Sequence, residues 1–136
     1  MRDESYLHLG LKEIYCNDTE EDKELIERYS CERAEKGLAA CDTFNFDTFL
    51  LGIIIRGLRQ LAQTSHGYPG REPYDTHKKW RDCLKSLADR FEEGYKLFYG
   101  DSGDYIQLSS SKEAEGLEIL KESFHKLADI LPDLWD

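Results

Sequence analysis

NFDTFLLGIIIRGLRQLAQT, residues 45–64, decides the reading of this chain. Asn45 is placed to cap a helix, and Phe46, Phe49, Leu50, Ile53, Ile54, Leu58 and Leu61 recur at helical steps over more than one face. A helix apolar on more than one face is buried, so this segment is expected at the centre of the fold. Gly52 and Gly57 each cost about 1 kcal/mol relative to alanine in a helix interior, which predicts a neighbouring helix passing close by. The apolar run Phe49–Ile55 ends at Arg56, far short of the roughly 20 residues of a membrane span.

Working outward, Ser65–Pro73 holds two prolines and two glycines, which impose a turn. A third helix is expected from Asp75 or Thr76 to about Tyr99, on a stripe of Trp80, Leu84, Leu87, Ala88, Phe91, Tyr95 and Phe98. Gly100 closes it. Ser110 and Glu113 have the capping-box spacing of a fourth helix, with Leu117, Leu120, Phe124, Leu127, Ala128 and Leu131 as its core stripe and Pro132 as its stop. Between them, Tyr105, Ile106 and Leu108 suit a short extended piece or a packed loop. A first helix runs from a Thr19 cap to Lys36, where Gly37 ends it. Its apolar face is thin: Leu25, Ile26, Tyr29, Cys31 and Ala34. The Leu134-Trp135 tail is able to fold back or to meet another chain. No segment alternates with period two, so the expected fold is all-α: one compact bundle of about four helices, with a Pro/Gly-rich loop between the second and third. Residues 1–136 read as one domain, with 1–18 loosely attached.

The 136 residues carry 18 Lys+Arg against 28 Asp+Glu, a formal charge of −10. This argues against coating long nucleic acid or an anionic membrane, since both require a cationic surplus. Cys16, Cys31, Cys41 and Cys83 include no C-x-x-C pair and no histidine at finger spacing, so they read as reduced thiols, and neither metal nor cofactor is expected. Cys83 suits an apolar helix face as a small hydrophobe. No apolar stretch near Met1 has the length of a signal-peptide core.

Charge is segregated along the chain. Residues 1–55 and 91–136 each sum to −7, whereas 56–90 sum to +4 through Arg56, Arg59, Arg71, Lys78, Lys79, Arg81, Lys85 and Arg90. Arg56 and Arg59 suit the C-terminal half of their helix. His77, Lys78 and Lys79 stand instead at a helix start, where the dipole is already positive. An anion there would relieve the conflict and use the free backbone donors. His66, Tyr68, Arg71 and Tyr74 add donors and rings from the loop. The alternative is that Lys78 and Lys79 pair with the acidic flanks and the histidines serve the turn.

Several stretches carry a resemblance: Asn45-Phe46-Asp47, Gly57-Leu58-Arg59-Gln60-Leu61-Ala62, Ser65-His66-Gly67-Tyr68-Pro69-Gly70, Trp80, Leu84, Leu87-Ala88, Phe91-Glu92-Glu93-Gly94 and Leu134-Trp135-Asp136. In these the chain resembles small helical proteins encoded by bacteriophages and prophages of Gram-positive and gut bacteria. The resemblance covers about residues 45–99 and the C-terminal end, and leaves 1–40 outside. It implies a phage origin, the cytoplasm of an infected bacterium, and a counter-defence role rather than a particular reaction.

Three expectations follow. The first is a non-enzymatic sponge that holds a small anionic ligand, of the cyclic or ADP-ribose nucleotide type, through Arg56, Arg59, His66, Tyr68, Arg71, Tyr74, His77, Lys78 and Lys79, in a homo-oligomer. The second is an acidic nucleic-acid mimic that blocks a host protein with Glu20, Glu21, Asp22, Glu24, Glu27, Glu113, Glu115, Glu118 and Glu122. The third, an enzyme using His66 or His77, lacks any motif that assembles an acid and a base around a substrate.

Overall fold

The computed structural model describes residues 9–11, 15, 17–100 and 110–135. Within them the chain is all-α: α1 (Glu20–Lys36), α2 (Phe46–Thr64), α3 (His77–Tyr99) and α4 (Ser110–Ile130), with short 3-10 turns at Ala40–Thr43 and Leu131–Asp133. Residues 105, 106 and 108 lie outside the described residues, as do Cys16 and the Ser110 side chain. No described helix is long and apolar enough to cross a membrane. The chain forms two compact units, residues 1–53 and 54–136.

The helix ends follow local chemistry. Thr19 accepts a hydrogen bond from Asp22 N, and Gly37 closes α1 in the left-handed region at φ 85°. Thr76 likewise accepts from Lys79 N at the start of α3. Pro132 stands in the 3-10 turn that ends α4. Each of these residues supplies what an unpaired backbone group at a helix end requires, or blocks continuation.

In the first unit, Leu11, Tyr29 and Ala39 form a small core with Tyr15, Leu25, Ile26 and Cys41 packed against it. Cys31 and Ala34, expected on this face, are exposed instead. Within the stretch 1–18, expected to be loosely attached, Leu9 and Leu11 are buried. Arg33 does much of this work. Its guanidinium bonds Asp42 through Nε at 3.0 Å and NH2 at 2.6 Å, donates to the Leu9 carbonyl at 2.6 Å, and lies over the Phe49 ring. Asp42 also accepts from Ala39 N at 2.8 Å. Burial alone would raise the Asp42 pKa, but Arg33 and the Ala39 N–H outweigh it and hold the carboxyl below its ordinary value. Beside this joint, burial with the neighbouring Cys41 and Tyr29 pushes Tyr15 up to about 12.

In the second unit α3 lies against α4 through a very close crossing. A Cβ on Gly116 would stand 2.7 Å from Phe98 N and 2.9 Å from Gly94 O; one on Gly94 would stand 2.9 Å from the Leu120 side chain. Backbone therefore meets backbone here. The register of α4 follows, and it corrects the expected stripe. The buried positions are Gly116, Ile119, Leu120, Ser123 and Ile130, while Leu117, Phe124, Ala128 and Leu131 are exposed. Leu127 is half-buried. Small residues at 116 and 123 let α4 approach α3, and the buried Ser123 hydroxyl is satisfied by donating to Ile119 O at 2.7 Å. The face chosen is the one that permits contact, not the one richest in large side chains.

The glycines of α2 also differ from expectation. Gly52 is covered by the Leu9 side chain, 3.0 Å from where its Cβ would be, and Gly57 faces open space.

Gly116→Ala is expected to lower stability by about 3 kcal/mol, within the range for overpacking against atoms that cannot retreat. A melting temperature within 1 °C of wild type, a margin of about 0.2 kcal/mol for a chain of this size, would show that the crossing is looser than described.

Candidate functional site

The nine residues expected to hold an anion all lie in the second unit, and the structure can be followed through each. Arg59, on α2, reaches α3: NH2 lies 3.1 Å from Asp89 Oδ1 and also bonds Glu92. The Arg59 side chain is only 14% exposed and that of Glu92 17%, so this is a largely buried joint rather than a waiting cation. Lys96 adds a second bond to Glu92 at 3.1 Å. Burial would raise the Glu92 pKa; Arg59 and Lys96 together hold it below the ordinary value. Arg56, on the same helix, is half-buried.

The loop is ordered by its own residues. Gly70 takes φ 76°, Gly70 N donates to Tyr74 O, and Tyr74 N donates back to Arg71 O at 2.7 Å. Arg71 pairs with Asp133 at 2.6 Å, linking the loop to the turn after α4. The Tyr74 hydroxyl accepts from Lys126 Nζ at 2.6 Å and from Cys83 Sγ at 3.4 Å, while its ring meets Trp80 edge-on. Burial, reinforced by the Cys83 contact, raises the Tyr74 pKa. Lys126 is raised chiefly by its bond to that hydroxyl. Tyr74 is thus a tie between loop, α3 and α4.

Tyr68, His66 and His77 form the more open side. The Tyr68 ring stacks on His77 at 5.8 Å, and His77 Nε2 lies 3.3 Å from the Oγ of the buried Ser65. His66 is exposed.

At the start of α3, the electrostatic conflict read from sequence is relieved from within. Lys79 pairs with Asp75 and Lys78 with Asp82, each at 2.7 Å and each at i, i+4 spacing. The hydrogen bond and charge of Asp75 raise the Lys79 pKa, and Lys78 lowers that of Asp82. Thr76 takes one of the free backbone donors. The flank pairing weighed above is the arrangement found.

Arg59 meets α3 at Asp89 and Glu92, about 15 Å along the helix from Lys79, so the nine residues do not form one cradle, and two kinds of group stand out among them. Arg59 and Tyr74 are structural ties. Arg71, Lys78 and Lys79 are exposed cations held by carboxylates in solvent-screened pairs that add little to stability. The sequence reading missed the distant partners. Asp75 and Asp82 were visible as i, i+4 neighbours, whereas Asp133 and Lys126 reach the loop across 62 and 52 residues of chain and carried no local signal.

The acidic surface is less neutralised. On α1, Glu20 pairs with Lys23, but Glu21, Glu24 and Glu27 are exposed and make no ion pair among the described residues. On α4, Glu118 and Glu122 pair with Lys121 and Arg90 at 3.4 and 3.3 Å, while Glu113 and Glu115 are exposed and have no ion pair among the described residues. A shallow cavity of about 260 Å³ borders α4 at Lys121, Phe124, His125 and Ala128. No group of three or more His, Cys, Asp or Glu among the described residues is placed to hold a metal ion. Comparison with protein-family models, curated proteins and solved structures finds no match to the chain.

Replacing Arg59 by Ala is expected to cost about 3 kcal/mol, because Glu92 is left buried with less compensation. Lys78→Ala should change stability by no more than about 0.5 kcal/mol. Urea denaturation of the two variants checks the contrast; equal effects would show that Arg59 is not the joint.

Proposed function

We propose that this chain is a non-enzymatic binding protein that presents an acidic helical surface to a basic, nucleic-acid-binding site on another protein. The observation that carries this reading is the charge pattern of α1, where Glu24 and Glu27 stand exposed, without ion pairs among the described residues, beside Glu20 and Glu21. Glu20, Glu24 and Glu27 fall at i, i+4 and i+7, a line of carboxylates along one helix face. Such a line draws a cationic cleft by long-range attraction and competes with phosphates for the same Arg and Lys side chains. The resemblance to phage proteins supplies a setting, counter-defence in the cytoplasm of an infected bacterium. The mimic would then block a host defence protein that must hold DNA or RNA.

A DNA-affinity column loaded with host extract tests this. Wild-type chain at low salt is expected to release a bound host protein, and the triple variant Glu20→Lys, Glu24→Lys, Glu27→Lys is expected to release none. Release should fade as salt shortens the reach of the charges to about 8 Å and below. Equal release by both chains, or none by either, overturns the reading.

A second reading keeps the chain as a sponge for a small anionic nucleotide at the loop and α3 start, and the Tyr68–His77 stack favours it. The rings offer a surface to a base, and the exposed pairs of Lys78, Lys79 and Arg71 exchange a carboxylate for a phosphate at small cost. Calorimetry with ADP-ribose and cyclic dinucleotides is expected to show binding that Lys79→Glu weakens by about tenfold or more. Absence of heat with folded protein at high ligand concentration removes this alternative.

A further inference from the structure

The register that buries Gly116 and Ser123 leaves a second apolar strip of α4 open. Leu117 and Phe124 are 41% and 39% exposed, Ala128 is exposed beside them, and Leu131, directly after the helix, extends the line at 62% exposure. The strip lies wholly within the second unit.

Its shape is that of a seat for a helix. The shallow cavity of about 260 Å³ is set into the strip, and its lining residues, Lys121, Phe124, His125 and Ala128, stand at i, i+3, i+4 and i+7. Four residues at that spacing form the hole that receives one side chain of a facing helix.

Charge indicates which kind of helix. Along one edge of the strip run Glu115, Glu118, Glu122 and Asp129, exposed carboxylates over about 21 Å of helix. Glu115 and Asp129 make no ion pair among the described residues. Glu118 meets Lys121 at 3.4 Å and Glu122 meets Arg90 at 3.3 Å, solvent-screened pairs that an incoming cation can replace at small cost. Lys121 is the cation on the strip, and its ammonium turns to Glu118 while its stem walls the cavity.

Area excludes a second copy as the stable occupant. At roughly 200 Å² for a side chain of this size, the three large residues leave about 280 Å² of apolar surface. Two such strips, at the usual non-polar share of about 57%, correspond to about 1,000 Å² of interface, short of the roughly 1,200 Å² of a stable complex. They would also bring two rows of carboxylates together. A basic partner meets the same row with attraction, which steers the encounter and fixes its register.

We propose that the outer face of α4 is a docking surface for a basic amphipathic helix of another protein, with one apolar side chain of that helix seated in the cavity beside Phe124 and its Lys or Arg residues against Glu115, Glu118, Glu122 and Asp129. This shares with the proposed function the expectation of a basic partner. It rests on different residues, in the second unit rather than on α1, so either reading can fail alone.

Fluorescence anisotropy with a labelled helical peptide of about 18 residues, leucines on one face and lysines on the other, is the test. Wild type is expected to bind it with a Kd of about 10–100 µM, and to bind a peptide of the same composition with scattered leucines about tenfold more weakly. Ala128→Gln, which fills the cavity from an exposed position, and Leu117→Ser are each expected to weaken binding about tenfold with unchanged circular dichroism. Glu115→Lys with Glu118→Lys is expected to weaken it by about tenfold at low salt and by less at high salt. The triple variant Glu20→Lys, Glu24→Lys, Glu27→Lys is expected to bind as wild type does. Equal affinity for the two peptides overturns the proposal, because charge alone would then explain binding. So does absence of binding at about 1 mM protein, full binding by both Ala128→Gln and Leu117→Ser, or binding lost in the α1 variant. A wild-type dimer in ultracentrifugation that Ala128→Gln dissociates also overturns it, by assigning the strip to a second copy.

Discussion

The contact of Gly116 with the backbone of α3 is the constraint on which the second unit depends. When two helices meet at a distance a single Cβ would violate, neither can rotate without losing the approach. The buried edge of α4 is therefore the edge that contains Gly116 and Ser123, and Ile119, Leu120 and Ile130 become core because they share it. Phe124 keeps contact from the rim, its ring set edge-on to Phe91 at 5.0 Å. The exposure of Leu117, Ala128 and Leu131 is a consequence of that choice.

The first unit is organised by charge rather than by close packing. Among its described residues few large side chains are buried, and the Arg33–Asp42 pair gathers α1, the 3-10 turn, Phe49 and the backbone at Leu9 around one guanidinium. Arg is suited to this because its planar fork supplies several donors in fixed directions. A buried ion pair of this kind adds less to net stability than its geometry suggests, but it specifies which groups must come together. Arg59 plays the corresponding part between α2 and α3 in the second unit.

These joints bear on function. In a chain with 18 cationic and 28 acidic side chains, each Arg or Lys used to fasten the fold removes a positive charge from the surface. The basic window around residues 56–90 is, in large part, this fastening: Arg59, Arg71, Lys78, Lys79 and Arg90 all face carboxylates of the chain. Arg81 and Lys85 stay exposed without an ion pair among the described residues, and on α1 Glu21, Glu24 and Glu27 do the same with the opposite sign. The pairing within the basic window is the ground on which a carboxylate surface is proposed ahead of a phosphate cradle.

Taken alone, the sequence determined the four helices of the described residues and nearly all their ends, because caps, glycines and prolines act over three or four residues. Thr19, Gly37, Thr76, Gly100 and Pro132 do locally what their chemistry implies. It also determined the distribution of charge and, at Lys79 and Lys78, the carboxylates within one helical turn. Only the tertiary structure decided which face of α4 is inside, that Arg71 meets Asp133 and Tyr74 meets Lys126, and that Gly57 faces open space while Gly94 and Gly116 do not. Periodicity ranks faces by hydrophobicity, whereas packing selects them by how closely two backbones can approach. A close approach depends on a small residue meeting its counterpart on another helix, and that pairing is not written in either segment alone.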